Sequence, residues 1–505
     1  MKYIIFFISF YLLSYSSTAQ KINFSEKISD ENSSMNFEII GRQGNNYLIY
    51  KNYRRKHFIG VYGQSMELIN NYRIKEIPDK TFNAFFISYP EKVLMIYQYS
   101  KGNTIYCAAL SFDNNGAPLA DPIILDQTKI GSFSDKRVYS TVFSENKNHI
   151  LIYKMMRRNN KLYLNTFMFN PEFLLEKNTE DVFDYKERYD IFSDLSINND
   201  GEFVFAKSTR KGSRESAFKL DIFSRTKESD SGTLTNIPLN GSYIDEVLIK
   251  PDNINHHYLI NSLYSINNND NITGLFSNFF PFNKSDSFKT AFNAFPDTIR
   301  NSFSSSKNLK YAFENVYLRN IIVKNDGGFM ISNEEQTSRT IGNNYYRNRN
   351  DYLYGSPYGG NDYYLYNPSY YNYGRYMPYS NNYRTTQYEY GNILINSINK
   401  DLVPDWNRII VKRQKDTETD NFISFSIMNT GGLLHYIFME NERANQVILN
   451  IGLSADGNIT RFPSLKSRDA GCLFIINSGR QVSATKIILP CINKGSLVFA
   501  LVDLS

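Results

Sequence analysis

Short apolar stretches separated by polar turns recur along the chain from Phe37 onward. Each unit has an apolar stretch, a turn rich in Asn, Asp or Gly, a second apolar stretch, another turn, and a stretch in which apolar and polar residues alternate. A period of two predicts β-strands rather than helices. The unit occurs about eight times, and its second apolar stretch lies at 47–50, 93–96, 150–153, 203–205, 258–260, 329–331, 433–437 and 473–476.

The turns that precede these second stretches have a regular composition. Asn198-Asn199-Asp200-Gly201, Asn325-Asp326-Gly327-Gly328 and Asn429-Thr430-Gly431-Gly432 are three of them. Asn, Asp and Gly tolerate the positive φ that tight hairpin turns require. The pattern therefore predicts a succession of antiparallel hairpins.

The spacing of the units indicates how the hairpins assemble. Successive second stretches are mostly 46 to 57 residues apart, which suits a four-stranded propeller blade. We predict an all-β fold, a β-propeller of seven or eight blades, in a single domain at 20–505. The alternative is an outer-membrane β-barrel. Against the barrel, the strands are about five to eight residues long where membrane strands need roughly nine to eleven, and the chain ends without a terminal aromatic residue.

The first residues resemble an export signal. Lys2 is followed by an apolar run from Tyr3 to Leu13 and then by Ser17-Thr18-Ala19, small residues of the kind that precede a signal peptidase cleavage site. We predict a signal peptide at 1–19. We expect an exported protein that is periplasmic or associated with the outer membrane.

A tyrosine-rich segment at 340–390 departs from the composition of the rest. Between Tyr345 and Tyr390 lie 16 of the 39 tyrosines and four arginines, but no Val, Ile or Phe. We predict a long loop inserted within one blade. It is either a recognition surface for a protein or glycan, or a low-complexity loop tolerated at a blade edge. The candidate partner-binding residues are Tyr352, Tyr354, Tyr358, Tyr363, Tyr364, Tyr366, Tyr370, Tyr371 and Tyr373.

Charge and cysteine content narrow the function classes. The formal net charge is +6, with basic and acidic residues interspersed, so no nucleic-acid partner is expected. Of the three cysteines, Cys472 and Cys491 flank a predicted hairpin with its turn near Ser478-Gly479. They form either a disulfide or two unrelated buried thiols.

No catalytic or metal-binding motif is recognised in the sequence, and no cofactor is expected. Nucleophile elbows, phosphate-binding loops and zinc-hydrolase helices are lacking. Paired carboxylates of a glycosidase cannot be recognised by spacing. Trp406 is interpreted as packed at a blade corner, with sugar stacking as the alternative. The five histidines lie without a partner at metal-ligand spacing and are interpreted as structural: His57, His149, His256, His257 and His435.

Three stretches carry a resemblance to a known group of proteins. The run at 319–334, RNIIVKNDGGFMISNE, and its continuation at 392–396 and 406–414 are similar to exported, largely uncharacterised β-propeller-like cell-envelope proteins of Gram-negative bacteria. The resemblance covers about a quarter of the chain. It implies a periplasmic or outer-membrane-associated scaffold in a secretion, uptake or motility complex. Its motifs are structural, so it assigns no catalytic residue.

The preferred hypothesis is therefore a non-enzymatic propeller that binds envelope protein partners. A carbohydrate-binding or carbohydrate-cleaving propeller is the alternative, and the membrane barrel is the third.

Overall fold

The computed structural model describes residues 21–27, 35–131, 137–212, 215–268, 271–283, 287–303, 313–341, 346–347, 364–365, 374–376, 385–417, 419–442, 445–466 and 472–504. Strands dominate these residues. They are accompanied by a short helix, α1 (Asp297–Phe303), and a 3-10 turn at Ile476–Ser478.

The first half of the chain folds into four antiparallel blades, each a meander in which successive strands pair. In blade 4 the first strand is split in two, and both parts pair with the next strand. The strands are β2 (Met35–Gln43), β3 (Asn46–Tyr53), β4 (Lys56–Tyr62) and β5 (Leu68–Ile74) in blade 1; β6 (Thr81–Ser88), β7 (Val93–Lys101), β8 (Thr104–Phe112) and β9 (Ile123–Lys129) in blade 2; β10 (Ser140–Phe143), β11 (Ile150–Arg158), β12 (Lys161–Phe169) and β13 (Leu175–Asp184) in blade 3; and β14 (Asp190–Phe192), β15 (Ser196–Ile197), β16 (Phe203–Arg210), β17 (Ala217–Arg225) and β18 (Thr233–Ile237) in blade 4.

The second half repeats this arrangement, with α1 between blades 5 and 6. Three short strands, β25 (Tyr346–Arg347), β26 (Tyr364–Leu365) and β27 (Gly374–Tyr376), belong to the tyrosine-rich segment. The blade strands are β19 (Tyr243–Asp252), β20 (His257–Ser265), β21 (Gly274–Pro281) and β22 (Lys289–Ala294) in blade 5; β23 (Val316–Val323), β24 (Phe329–Ile341), β28 (Thr385–Ile398), β29 (Pro404–Ile410) and β30 (Gln414–Thr417) in blade 6; β31 (Phe425–Asn429), β32 (Leu433–Glu442), β33 (Asn445–Ser454), β34 (Ile459–Arg461) and β35 (Leu465–Lys466) in blade 7; and β36 (Cys472–Phe474), β37 (Arg480–Gln481), β38 (Lys486–Asn493), β39 (Ser496–Asp503) and β1 (Lys21–Phe24) in blade 8.

Eight blades arise from seven hydrogen-bonded sheets. Blades 4 and 5 share one nine-stranded sheet, because a single antiparallel pair, Ala217↔Ile244, connects β17 to β19. Each half of that sheet is otherwise a complete meander. The prediction of a β-propeller with seven or eight blades is confirmed.

The two ends of the described chain close the ring. β1 pairs with β39, in register from Lys21↔Asp503 to Phe24↔Ala500, so the start of the chain supplies the outermost strand of blade 8. Between blades 8 and 1, Phe37 and Tyr62 pack against Phe499. Eight apolar clusters of this kind fill the eight junctions between neighbouring blades. Burying each such side chain contributes about 1.5–3 kcal/mol, which makes these junctions the main source of stability.

One of the predicted strand positions is wrong. The stretch at 473–476 is the first strand of blade 8 rather than its second, which is β38. Ile476 is fully buried, and the 3-10 turn at Ile476–Ser478 interrupts this first strand before it resumes as β37. The chain reverses after Gln481 rather than near Ser478-Gly479. The turn-like composition at Ser478-Gly479 therefore marks an interruption within a strand and not a hairpin turn.

The ring has two different faces. The turns that follow the first and third strands of each blade, such as 144–149 and 170–174, lie on one face, which we call the turn face. Their Asn, Asp and Ser side chains cap the turn backbone. Asn198 Oδ1, for example, accepts hydrogen bonds from the backbone of Asp200 and Glu202, while Gly201 has φ +84°. The opposite face carries the segment between β24 and β28, and we call it the insertion face.

Candidate functional site

The turns after the first strands of blades 3, 4 and 5 meet around the ring axis on the turn face. The backbone N–H of Asn146 donates to Asn199 Oδ1 at 2.9 Å, and that of Asn199 donates to Asn253 Oδ1 at 2.8 Å. Asn253 Nδ2 in turn donates to Glu145 Oε2 at 2.8 Å. Blade 5 thus contacts blade 3 past blade 4, which is possible only near the axis. The first strands therefore lie innermost and these turns form a polar rim around the pore.

A buried carboxyl group ties blade 4 to blade 5 beside this rim. Glu202 is 2% exposed and accepts the backbone N–H of Asn283 at 3.2 Å and Asn198 Nδ2 at 3.2 Å. Tyr258 donates its hydroxyl to the backbone oxygen of Glu202 at 2.7 Å. Burial raises the pKa of Glu202 to about 7. With these contacts the group acts as a structural link, and its ionisation affects the stability of the ring.

On the insertion face, the middle strands of blade 6 form an unusually long hairpin. β24 has 13 residues and β28 has 14, whereas the corresponding strands of the other blades have 7 to 10. Four additional residues at about 3.3 Å each extend a strand by roughly 13 Å. The projecting part is polar: Arg339 Nη2 donates to Gln387 Oε1 at 2.8 Å, and Lys415 Nζ lies 3.4 Å from Glu389 Oε1. This hairpin projects from the face and carries the tyrosine-rich segment at its tip.

A network of buried charges fixes the base of the hairpin to blade 7. Glu334 is fully buried in β24, and its two carboxylate oxygens contact Lys412 Nζ at 2.7 Å and Arg319 Nε at 3.3 Å. Ser424, just before β31, donates its hydroxyl to Glu334 Oε2 at 2.8 Å. Gln414 Oε1 accepts from both Lys412 Nζ, at 2.8 Å, and the backbone of Ser424, at 2.7 Å.

The chemistry of this network is structural. Burial lowers the pKa of Lys412, while its contact with Glu334 opposes that change. Ser424 has φ +80°, a strained backbone of the kind often found at functional sites, but its side chain is fully buried and its proton points to a carboxylate. A substrate would have no access to that hydroxyl. The network therefore positions the hairpin and does not serve as a nucleophile site.

Most of the predicted partner-binding tyrosines lie outside the described residues. The exception is Tyr364, whose backbone pairs with Met156 of β11. The backbone of β27 pairs with β2 from Met35 to Phe37. β27 pairs with β2, the innermost strand of blade 1, and β26 pairs with the part of β11 that extends beyond β10 in blade 3. These two backbone pieces therefore run beside the pore on the insertion face. The role of the nine tyrosines stays a prediction.

The two candidate disulfide cysteines lie on adjacent strands, as expected. Cys472 in β36 and Cys491 in β38 are both buried, and the structure has them as free thiols. Asn493 Nδ2 donates to Cys472 Sγ at 3.0 Å. The neighbouring Cys472 thiol, together with burial, raises the pKa of Cys491. The two thiols are thus neighbours, the Cys491 thiol resists ionisation, and the disulfide stays a prediction.

Trp406 packs at the junction of blades 6 and 7. Its indole N–H donates to the backbone oxygen of Ala455 at 3.2 Å, and the Arg408 guanidinium lies 5.8 Å from the ring centre. A Cβ at Gly457 would come within 2.8 Å of the indole, so the ring lies directly on that glycine. These contacts favour packing at a blade corner over sugar stacking.

The histidines have ordinary structural partners. His57 Nδ1 forms a hydrogen bond of 2.7 Å with the Tyr50 hydroxyl, and His435 Nδ1 lies 2.9 Å from Asn450 Oδ1. His257 is 3.7 Å from Asp252, and burial lowers its pKa. Within the described ranges, no group of three or more His, Cys, Asp or Glu side chains could hold a metal ion.

The buried network was not predicted from the sequence, although four of its residues lie in stretches that the sequence had singled out. Arg319, Glu334, Lys412 and Gln414 all lie in the stretches that carry the resemblance described above. Glu334 and Lys412 are 78 positions apart, and no local pattern shows that they touch. No local signal marks either residue, because Glu334 lies in the middle of β24 and Lys412 lies between β29 and β30.

Comparison with known proteins assigns this chain to no family. No protein-family model and no curated protein matches the chain. Among solved structures, the chain is similar to the WD40 domain of SCAP from fission yeast, with 9% identity, a TM-score of 0.41, and coverage of 96% of this chain and 98% of that one. The chain is also similar to Sqt1 from Saccharomyces cerevisiae, with 8% identity, a TM-score of 0.44, and coverage of 96% of this chain and 100% of that one.

A third similar structure is prolyl oligopeptidase B from Galerina marginata, with 8% identity and a TM-score of 0.40. The match covers 91% of this chain but only 55% of that one, so this chain spans little more than half of the peptidase. TM-scores this low carry no argument about function. The fold assignment rests on the strand topology and the closed set of eight junctions.

The protein is therefore an all-β repeat protein of the β-propeller class with eight blades. In the part of the chain that the structure describes, no helix is long and apolar enough to cross a membrane.

Proposed function

We propose that the protein is a non-enzymatic, exported β-propeller that binds partner proteins in the cell envelope, as a subunit of an outer-membrane or periplasmic complex. The observation that carries the proposal is the projecting hairpin of blade 6 on the insertion face. Closing the ring does not require it, because the seven other blades close with middle strands of 7 to 10 residues.

The hairpin is built to hold its tip in one direction. Its base is fixed by Glu334, Lys412 and Ser424, which are all fully or almost fully buried. A loop without a role tolerates mobility at its base, whereas a binding segment gains affinity when its ends are fixed before the partner arrives. The tip carries tyrosine and arginine, which supply large contact areas with little loss of side-chain entropy. This combination supports a protein-binding surface.

The envelope location rests on the sequence. The apolar run at 3–13 and the small residues at 17–19 predict export, and the stretches at 319–334 and 406–414 resemble envelope proteins. Expression in a Gram-negative host followed by fractionation tests the location. We expect the protein in the periplasmic or outer-membrane fraction with Gln20 as its first residue. A cytoplasmic protein that retains residues 1–19 would contradict it.

A pull-down from mildly solubilised envelope, with partners identified by mass spectrometry, tests the binding function. One variant replaces residues 342–384 by an Asn-Gly turn between β24 and β28, which leaves the network around Glu334 unchanged. A second variant keeps the length of the segment and replaces its nine candidate tyrosines by serine. We expect a stoichiometric partner with the full chain and its loss with both variants.

The two variants differ in their effect on folding. The serine variant keeps the base of the hairpin and the backbone pairings of β26 and β27, so it should unfold at the temperature of the unmodified protein. The deletion also removes those two pairings, so the serine variant is the one that separates binding from folding. A partner retained by both variants would move the binding surface away from the insertion face. A purified protein that captures no envelope protein in any form would overturn the proposal.

A further inference from the structure

The charges of blades 1 to 4 are segregated between the two faces of the ring. On the turn face, the turns of these blades and one flanking residue on either side hold ten Asp or Glu and four Lys or Arg. They span 43–46, 62–68, 88–93, 112–123, 143–150, 169–175, 197–203 and 225–233. The turn face of this half of the ring is therefore acidic.

The insertion face of the same blades has the opposite sign. Its hairpin tips, which follow the second strands, and its connections between blades hold 14 Lys or Arg and six Asp or Glu among the described residues. The tips are 53–56, 101–104, 158–161 and 210–217, and the connections are 74–81, 129–140, 184–190 and 237–243. The sequence hides this segregation, because turns of the two faces alternate along the chain.

The acids on the insertion face lie mostly in the connections. Glu187 lies 3.0 Å from Arg157, and Asp184 pairs with Lys161. Within the described tips, Glu215 is the one acid. Six exposed cations at these tips have no carboxylate oxygen within 4 Å among the described residues: Arg54, Arg55, Lys56, Lys101, Arg158 and Lys211.

Blade 1 has arginine where a hairpin turn disfavours it. Arg54 and Arg55 are the two-residue turn between β3 and β4, and their φ angles are +51° and +62°. Two-residue turns with positive φ at both positions favour Asn and Gly, because a longer side chain makes this backbone costly. The equivalent turn of blade 3 follows that preference with Asn159 and Asn160. Turn formation therefore does not explain the two arginines.

Blade 3 has two cations directly opposite each other beside its turn. Arg158 pairs with Lys161 across the hairpin, and like charges in this position are destabilising. Local choices that oppose stability are expected at functional sites. The tips of blades 1 and 3 thus both sacrifice local stability and keep arginine exposed on the same face.

The tyrosine-rich segment reaches this half of the ring. The backbone of β26 pairs with Met155 and Met156, which directly precede Arg157, and β27 pairs with the start of β2 in blade 1. The basic tips therefore adjoin the segment that carries the proposed partner binding.

We propose that the insertion face of blades 1 to 4 binds an acidic surface of the partner protein. The inference rests on the proposed function and adds the chemistry of the contact, which is Asp and Glu side chains facing the hairpin tips. Guanidinium binds a carboxylate through two parallel N–H donors, so the exposed arginines give direction as well as attraction. Because exposed charges are screened beyond about 8 Å at physiological ionic strength, salt should weaken this binding.

Fluorescence anisotropy of a labelled oligo-glutamate peptide, titrated with the full mature chain, tests the site. We expect saturable binding that weakens as salt is raised. The deciding variant is Arg54→Asn with Arg55→Gly, which removes two charges and installs the favoured turn. It should bind about fivefold more weakly, since two exposed ion pairs are lost. It should unfold at the same or a higher temperature, so weaker binding would not come from misfolding.

A matched control removes two exposed cations from the turn face of blades 5 and 6. Lys289→Gln with Lys400→Gln should bind oligo-glutamate as the unmodified protein does. Absence of saturable binding, or equal affinity in the Arg54→Asn, Arg55→Gly variant, would overturn the proposal.

Other occupants of this face are distinguished by parallel measurements. Heparin or phosphatidylglycerol vesicles that bind more tightly than oligo-glutamate, and lose that binding in the same variant, would overturn the proposal in favour of an anionic glycan or a membrane. Salt-sensitive self-association in sedimentation would overturn it in favour of a second copy, whose acidic turn face is complementary.

The envelope pull-down separates this inference from the proposed function. A partner captured equally well by the Arg54→Asn, Arg55→Gly variant would overturn the acidic contact and leave the proposed function standing. Oligo-glutamate binding without any captured envelope partner would overturn the proposed function and support the acidic-ligand site.

Discussion

Glu202 makes the stability of the ring depend on pH, and the size of the effect follows from its burial. The side chain is 2% exposed, and burial raises its pKa from 4.5 to about 7. The unfolded chain therefore loses this proton at lower pH than the folded chain. The stabilisation is fully present below the unfolded pKa and is lost as pH rises through the folded pKa. At about 1.4 kcal/mol per pH unit, roughly 3 kcal/mol is lost between about pH 4.5 and pH 8.

The substitution that isolates this effect is Glu202→Gln. Glutamine does not ionise, and it keeps one oxygen to accept the backbone N–H of Asn283. We expect the variant to be more stable than the unmodified protein near pH 8 and to show a smaller fall in stability from acid to neutral pH. The midpoint temperature, Tm, can be followed by differential scanning calorimetry across this range. An unfolding entropy of roughly 1 kcal/mol/K for a chain of this length converts 3 kcal/mol into about 3 °C, if the ring unfolds as one unit.

The control is Glu172→Gln, because the Glu172 side chain is 61% exposed and should leave the pH dependence unchanged. Glu38, whose pKa is also raised to about 7, contributes separately, so the double variant with Glu202→Gln should flatten the profile further. The reasoning is refuted if Glu202→Gln loses as much Tm between acid and neutral pH as the unmodified protein does.

Three further perturbations test the network, a packing contact and ring closure, the first two by thermal or urea unfolding and the third by hydrogen exchange. Replacing Lys412 by Met leaves Glu334 buried without its closest cation and should destabilise by about 3 kcal/mol or more, and adding Glu334→Gln should restore part of the loss. Gly457→Ala should cost about 1–3 kcal/mol, because φ is +84° and the new Cβ would lie 2.8 Å from Trp406, whereas alanine at a turn glycine with open space should cost less. Deleting Lys21–Phe24 should expose β39 as an edge, so hydrogen exchange should accelerate in blade 8 first; equal protection in all blades would count against closure by β1.

Part of the candidate site was accessible to sequence reasoning and part was not. The tyrosine-rich segment stood out because composition is a local property, and the segment does connect the two middle strands of blade 6. The network at Glu334 did not stand out, because its members Arg319, Glu334, Lys412 and Ser424 are far apart in the chain. The interpretation of 473–476 was wrong for a related reason. An apolar stretch specifies a strand but not its place in a blade.

The amino-acid sequence by itself determined the strands and turns, because period-two alternation and Asn, Asp and Gly at turns act over a few residues. The stretches at 47–50 and 258–260, for example, lie within β3 and β20. Only the tertiary structure decided that Lys21 pairs with Asp503, that eight junctions close one ring, and that Glu202 is buried with a raised pKa. Those properties depend on contacts between residues that are distant in the chain, and such contacts exist only once the ring has closed.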